Sequence, residues 1–367
     1  MAGRLQLLLF TPPVAAAAAW NSPRHRLAWS RRRRPDPRLS SIVAGSSSST
    51  SSISSSSSDD QLQSTSTISN KQQQQQRKGV TLKLTYLEIN SWVWEVEQEQ
   101  RPPVRILVDP LVVGNLDFGA PWLFDGAKKN PKVKALGVED LLAMAPDLVL
   151  ITQSLDDHCH FRTLAQLSAM APDLPVVTTP NAQPVLASLP TPFRRVTYLE
   201  PGDSTAAVGN MGVLATAGPV LGPPWQRPEN GYILLIDGDR GLLYYEPHCV
   251  YDASFLQKRR LQADVVITPV VKQLLPANFT LVSGQEDAVD LVRLLRARYV
   301  VPMSNGDVDA GGILAALLSK QGTTQSFQAM LSESESEALL LPPALPGHHA
   351  PVQVLDPTPG VPLQLQL

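Results

Sequence analysis

Leu148-Val-Leu-Ile-Thr-Gln-Ser-Leu-Asp-Asp-His-Cys-His160 changes character halfway along. Its first five residues are a short apolar, β-branched run of the kind that fills a buried strand, and its last five carry two carboxylates and two imidazoles. Directly after it, Phe161, Leu164 and Leu167 recur at helical spacing over residues 161–170. A buried strand, a polar turn and a helix in that order make a βα unit whose polar turn lies at the strand's carboxyl end, where sites are commonly built.

Working outward, residues 80–87, 92–96 and 104–108 read as β-rich runs joined by polar or proline-containing connections, the pattern of antiparallel strands opening a sheet. Further strands are predicted at 176–178, 232–236, 242–245, 265–268 and 300–301, with helices over 182–189, 285–297 and 310–320. Two strand-rich halves, each ending in βα units, predict an α/β protein in which two sheets pack together with helices outside, a four-layer αββα sandwich. No internal repeat and no long linker divides it, so a single domain is expected over residues 79–360. The 33 prolines among 367 residues argue for stiff loops and against a helical bundle.

The net charge of −2 conceals a split. Residues 1–78 carry eleven Lys and Arg against three acids, a balance of +8, which leaves 20 basic and 30 acidic side chains, or −10, for residues 79–367. An acidic body repels phosphate backbones, so no nucleic-acid partner is expected. The first 58 residues hold eight arginines, one acid and a serine-dominated stretch over 46–58. That composition is a transit peptide's, plastid ahead of mitochondrion because of the serine content. The rival is a secretory signal over residues 5–19, which Pro12 and Pro13 interrupt. Residues 59–78 are polar, with a glutamine run at 72–76, and read as linker. After residue 79 no apolar run is long enough for a membrane span. Two cysteines give neither a disulfide framework nor a CxxC zinc motif.

Of six histidines, His25 lies in the transit segment, and His348 and His349 in a proline-rich tail. The other three fall at two strand ends: His158 and His160 in the opening stretch, and His248 in Leu243-Tyr-Tyr-Glu-Pro-His-Cys249. Asp156, Asp157, His158 and His160 supply carboxylate and imidazole, ligands suited to zinc, iron or manganese. The same residues also suit a turn and helix N-cap before Phe161, and His248 suits a satisfied, half-buried histidine. Both readings stand at this level. Cys159 and Cys249 each follow a candidate ligand directly, which would bring two thiols into one neighbourhood, close enough for redox coupling but without an expected disulfide. The loops Phe118-Gly-Ala-Pro-Trp-Leu-Phe124 and Gly222-Pro-Pro-Trp225 could wall an apolar pocket or pack onto the sandwich.

Thr152-Gln-Ser-Leu-Asp-Asp-His158 resembles the strand end that marks the metallo-β-lactamase superfamily, usually T-H-x-H-x-D-H, and Ile106-Leu-Val-Asp-Pro110 precedes it as that superfamily expects. The likeness runs over roughly residues 80–320. It is nearest to a cyanobacterial and plant plastid branch carrying Q-x-L-x-D-H-x-H and Y-Y-E-P-H, matched by Gln153, Leu155, Asp157, His158, His160 and Tyr244 to His248. Gln153 and Leu155 stand where two ligand histidines are usual, so the resemblance implies that the three-histidine position is lost. His248 stands near a usual metal-bridging aspartate, Ser304 or Asn305 where a last histidine is expected, and Val220 near another. What the resemblance leaves is one divalent metal, zinc, iron or manganese, on Asp157, His158 and His248, with His160 or Glu246 as a fourth group. The implied activity is hydrolysis of a small ester, lactone or phosphoester, with Asp157 and Glu246 catalytic. The alternative is a binding or scaffolding protein that has kept the fold and lost the chemistry.

Overall fold

Along the strand Leu148–Ile151 side chains alternate between two environments, as the two-residue period of a strand requires. Leu148 and Leu150 enter one apolar cluster and Val149 and Ile151 another. The first cluster lies between two seven-stranded sheets, and the second lies outside the first sheet under the helices Val138–Ala143, Phe161–Met170 and Gln183–Ala187. A third cluster outside the second sheet packs Ile233 and Val266 against the helices Ala253–Lys258, Glu286–Leu295 and Thr324–Leu340. These are the four layers of the expected αββα sandwich. The computed structural model describes residues 79–221, 225–340 and 351–367, and these described residues belong to one compact unit. The segment expected to be a transit peptide and linker, His348, His349 and residues 222–224 lie outside the described residues.

The first sheet runs Pro362–Gln366, Val80–Tyr86, Trp92–Gln98, Val104–Val108, Leu148–Ile151, Val176–Thr178, Val196–Tyr198. The second runs Gln353–Val354, Tyr299–Pro302, Val265–Thr268, Arg240–Tyr245, Asn230–Ile236, Met211–Ala217, Ser204–Ala206. Strands Val104–Val108 and Leu148–Ile151 pair in parallel, as do Arg240–Tyr245, Val265–Thr268 and Tyr299–Pro302. Parallel pairing brings the carboxyl ends of neighbouring strands to one edge, and the two histidine-bearing turns leave from such ends. Trp94 stacks edge-on to Tyr245 across the central core, with ring centroids 5.5 Å apart at 86°. No helix among the described residues is long and apolar enough to cross a membrane.

Two expectations change. The fold passes residue 360: Pro362–Gln366 pairs antiparallel with Val80–Tyr86, with Leu365 5% exposed against the central core. Pro362 can open an edge strand because that position needs no amide donor. The helix expected over 310–320 shrinks to Ile313–Leu317 between the short strands Asp309–Gly311 and Ser319–Gln321. Gly312 has φ +89°, and a Cβ there would lie 2.6 Å from the Leu123 carbonyl oxygen, so the backbone turns sharply against the 122–123 loop before the helix begins.

Candidate metal centre

Asp157, His158 and His248 each present one ligand atom, and these atoms all lie within 4.8 Å of one another. The two imidazole centroids are 5.3 Å apart. The strand ends expected to converge do so. His158 is fully buried and held from both sides: Nδ1 lies 2.9 Å from Asp109 Oδ2 and 3.0 Å from Thr152 Oγ1, and Nε2 lies 3.1 Å from Asp157 Oδ2. Asp109 is tied down in turn, since Oδ1 accepts from the Thr152 amide at 2.8 Å and Oδ2 from the Thr152 hydroxyl at 2.6 Å.

Burial pulls the His158 imidazole down, but the carboxylates of Asp157 and Asp109 outweigh it and hold the pKa up at about 10. His158 is therefore an imidazolium between two carboxylates. Burial raises the Asp157 carboxyl, but His158 and then His248 outweigh that and keep it below its ordinary value. His248 goes the other way. Burial and the neighbouring His158 charge lower it to about 3, so it is neutral with a lone pair to offer. Its Nδ1 is 2.7 Å from Gln153 Nε2, which leaves Nε2 for another partner.

His160 does not join the three. It precedes the helix Phe161–Met170, pairs through Nδ1 with Thr163 Oγ1 at 2.8 Å, and is lowered to about 4 by burial and then by Arg162. Asp156 Oδ1 accepts from the Phe161 amide at 3.1 Å. The helix-start bond to the Phe161 amide thus accounts for Asp156 and the Thr163 contact for His160, while Asp157 and His158 face the cluster. Glu246, expected to be catalytic or a fourth group at the metal, is turned under the His248 loop: Oε2 accepts from the amides of His248 at 3.0 Å and Val250 at 2.6 Å. Burial pushes its carboxyl up to about 8 against those bonds. That geometry positions His248. Asn305 does the same from the loop after Tyr299–Pro302, donating Nδ2 to the Pro247 carbonyl at 2.9 Å while its Oδ1 accepts from Gln273 at 2.7 Å.

The thiols part company. Cys159 packs in the core outside the first sheet and Cys249 in the core outside the second, and both are free. Each neighbours an inward-pointing histidine and so points away from it, and burial pushes both thiols well up. The redox coupling suggested by adjacency has no support in this arrangement. Two thiols are expected to titrate in the unfolded chain after oxidising or reducing incubation of the folded protein. A disulfide recovered from the folded protein would contradict this.

Residues 83–304, more than half of the chain, match the family model described as the beta-lactamase superfamily domain. The protein belongs to the metallo-β-lactamase superfamily. The isothiocyanate hydrolase from Delia radicum gut bacteria superposes with a TM-score of 0.50 at 18% identity, covering 77% of this chain and 98% of that one. The metallo-β-lactamase fold protein YhfI from Bacillus subtilis gives 0.46 at 11%, covering 78% of this chain and 100% of its own. The first of these likenesses, at 18% identity, bears on the fold alone. No match is found among curated proteins.

In this metallo-β-lactamase fold the residues easiest to miss are the ones that hold the ligands. Asn90 is 1% exposed, and its Nδ2 lies 3.0 Å from His158 Nε2 and 3.2 Å from Asp157 Oδ2. In sequence it is one polar residue in a short turn, with nothing to mark it. Asp109 carried a signal, an acid directly after an apolar strand, but its bond to His158 is a long-range contact. Backbone strain sits at the same places: Ile89, Asp109 and Cys249 all have positive φ, at 58°, 42° and 55°, next to Asn90, His158's partner and His248. In the apolar loops, Phe124 is buried with Leu111 and Ile89 and packs on Phe118 at 5.8 Å, whereas Trp122 and Trp225 are exposed.

Proposed function

We propose that the protein is a mononuclear metal-dependent hydrolase of a small ester, lactone or phosphoester. The observation that carries this is the convergence of Asp157, His158 and His248 within 4.8 Å at the sheets' carboxyl edge. The donor set fits a divalent ion: two imidazoles and a carboxylate whose Oδ1 is buried without a partner. When bound there by Asp157, His158 and His248, such an ion supplies Lewis-acid and water-activating chemistry. The chain's own residues prepare it. Asp109 and Thr152 aim His158, Gln153 and the Glu246-capped turn aim His248, and Asp157 keeps one oxygen able to take a proton.

The second reading is a fold-retaining binding protein, favoured by Gln153 and Leu155 standing at two usual histidine positions. Metal analysis of the purified full chain separates the two. About one equivalent of zinc, iron or manganese is expected, with Asp157→Ala or His248→Ala reducing it to below about a tenth. Wild-type protein that takes up no metal on reconstitution would favour the binding protein.

A further inference from the structure

We propose that Asn90 is a metal ligand, through its side-chain oxygen, beside Asp157, His158 and His248. This rests on the metal reading above and adds a residue to it from a separate part of the chain, the turn between strands Val80–Tyr86 and Trp92–Gln98.

Three atoms form a nearly equilateral triangle. His158 Nε2 to Asp157 Oδ2 is 3.1 Å, Asn90 Nδ2 to His158 Nε2 is 3.0 Å, and Asn90 Nδ2 to Asp157 Oδ2 is 3.2 Å. Ligand atoms roughly 2.0–2.2 Å from a tetrahedral zinc lie roughly 3.3–3.6 Å apart, so the triangle needs to open by only a few tenths of an ångström. The Asp157 carbonyl oxygen also lies 3.2 Å from the same amide atom.

The side-chain oxygen and nitrogen of an asparagine are interchanged by a half-turn of the amide, and which end faces a given spot is assigned from hydrogen bonding. In the metal-free protein hydrogen bonding places the amide nitrogen of Asn90 on this side, where it donates to two Asp157 oxygens, and leaves the amide oxygen idle. Its Nδ2 faces His158 Nε2 and two Asp157 oxygens, while Oδ1 is buried with no partner at all. A buried amide with an idle oxygen is costly unless something absent from the protein's own hydrogen bonds uses it. With the amide turned, Oδ1 joins Nε2, Oδ2 and the Asp157 carbonyl around one small space. With His158 Nε2 deprotonated, as a ligand nitrogen must be, these are four lone-pair atoms with no donor among them, and a cation is what lets them share the space. A bound cation would turn the amide from the orientation that the Asp157 oxygens favour.

The turn is built to keep Asn90 there. Glu88 and Ile89 both adopt positive φ, at 64° and 58°, unusual for non-glycine residues and most of all for a β-branched one. The strained backbone is clamped by Tyr245 Oη donating to the Asn90 carbonyl at 2.9 Å and Tyr86 Oη to the Ile89 carbonyl at 3.0 Å. Both clamps hold main chain, so substitution of the Asn90 side chain leaves them in place. Asp157 and His248 are the partly exposed members of the set, which leaves the open side for water and substrate there.

The test is metal affinity, measured on the full chain by competition with a chromophoric chelator for Zn²⁺ and by the Co²⁺ absorption spectrum, for wild type, Asn90→Ala and Asn90→Asp. Asn90→Ala is expected to weaken binding at least about tenfold and to change the Co²⁺ bands, as loss of a metal-site group does. Asn90→Asp, of the same shape with a carboxylate in the same place, is expected to bind as tightly as wild type or tighter. Equal or tighter binding by Asn90→Ala would overturn the proposal, making the amide a bystander or a competitor for the His158 lone pair. So would weaker binding by Asn90→Asp, which would mean that the amide's N–H is what matters. If wild type binds neither ion, the metal reading itself falls and the Asn90 role with it. If wild type binds and Asn90→Ala is unaffected, Asn90 alone is eliminated. Thermal unfolding of the metal-free variants checks that both are folded.

Discussion

Asp109→Ala is expected to lower folding stability by about 3–5 kcal/mol, the usual cost of removing one partner of a buried ion pair. Asp109 is 0% exposed and its carboxylate is fully used, by the Thr152 amide and hydroxyl, by His158 Nδ1, and by the Tyr245 hydroxyl at 3.4 Å. Removing it strands the Thr152 amide and hydroxyl and leaves the His158 imidazolium with Asp157 as its one carboxylate partner. Asp109→Asn keeps the shape and one acceptor oxygen, so it should cost clearly less. The comparison separates lost charge from lost packing. Urea unfolding of the metal-free protein measures both, provided the slope is common to the variants. A loss below about 1 kcal/mol for Asp109→Ala would mean that Asp109 does not carry the His158 charge.

The contrast between Asp157 and Asp109 shows what one sequence makes legible. Asp157 and His158 are adjacent, at the end of an unmistakable buried strand, and His248 ends another, so local pattern and chemistry coincide. Their convergence needed only the layer order, which strand and helix alternation supplied. Asp109 and Asn90 act through contacts 49 and 68 residues away in sequence, and no local property of an Asp-Pro or Ile-Asn-Ser turn encodes such a partner. Fold elements divide the same way. Val265–Thr268 is a β-branched run, apolar up to Thr268, and reads as a strand. Met211–Ala217 contains Gly212 and three small residues and exists as a strand because Asn230–Ile236 pairs with it along its length. The helix Thr324–Leu340 has a serine and glutamate run with little amphipathic signal, and among its described side chains buries Phe327 and Leu331 against the second sheet's outer core. The thiols mark the limit of adjacency. Sharing a motif with a ligand puts a neighbour on the opposite side of the backbone, so two such neighbours are carried to opposite outer layers.

Metal affinity is expected to rise steeply with pH, about tenfold per unit from pH 6 to pH 9, roughly a thousandfold in all. The slope belongs to one proton. In the metal-free protein His158 is protonated up to about pH 10, because Asp157 and Asp109 outweigh the burial that would lower it, and a ligand nitrogen must give up that proton. His248, lowered to about 3, and Asp157, held below its ordinary value, are already deprotonated and add no slope in this range. Stability of the metal-free protein runs the opposite way. A folded-state pKa of about 10 against an ordinary 6.5 means that the folded protein binds a proton the unfolded chain has released, so that stabilisation is complete below about pH 6.5 and is lost as pH rises toward 10. Glu246 acts in the same direction: its carboxyl, pushed up to about 8 from 4.5, costs stability as pH rises between those values and the buried group ionises. Raising the pH should therefore drive melting temperatures of metal-free and metal-loaded protein apart, the first falling while the second is supported by tighter binding. Chelator competition at pH 6, 7, 8 and 9, with parallel melting curves, measures both halves. A flat affinity profile would show that His158 is already neutral and that the two carboxylates do not hold its proton. Asp109→Asn supplies the internal check, because removing one of those charges should let the imidazole titrate at lower pH and move the steep part of the affinity curve down with it.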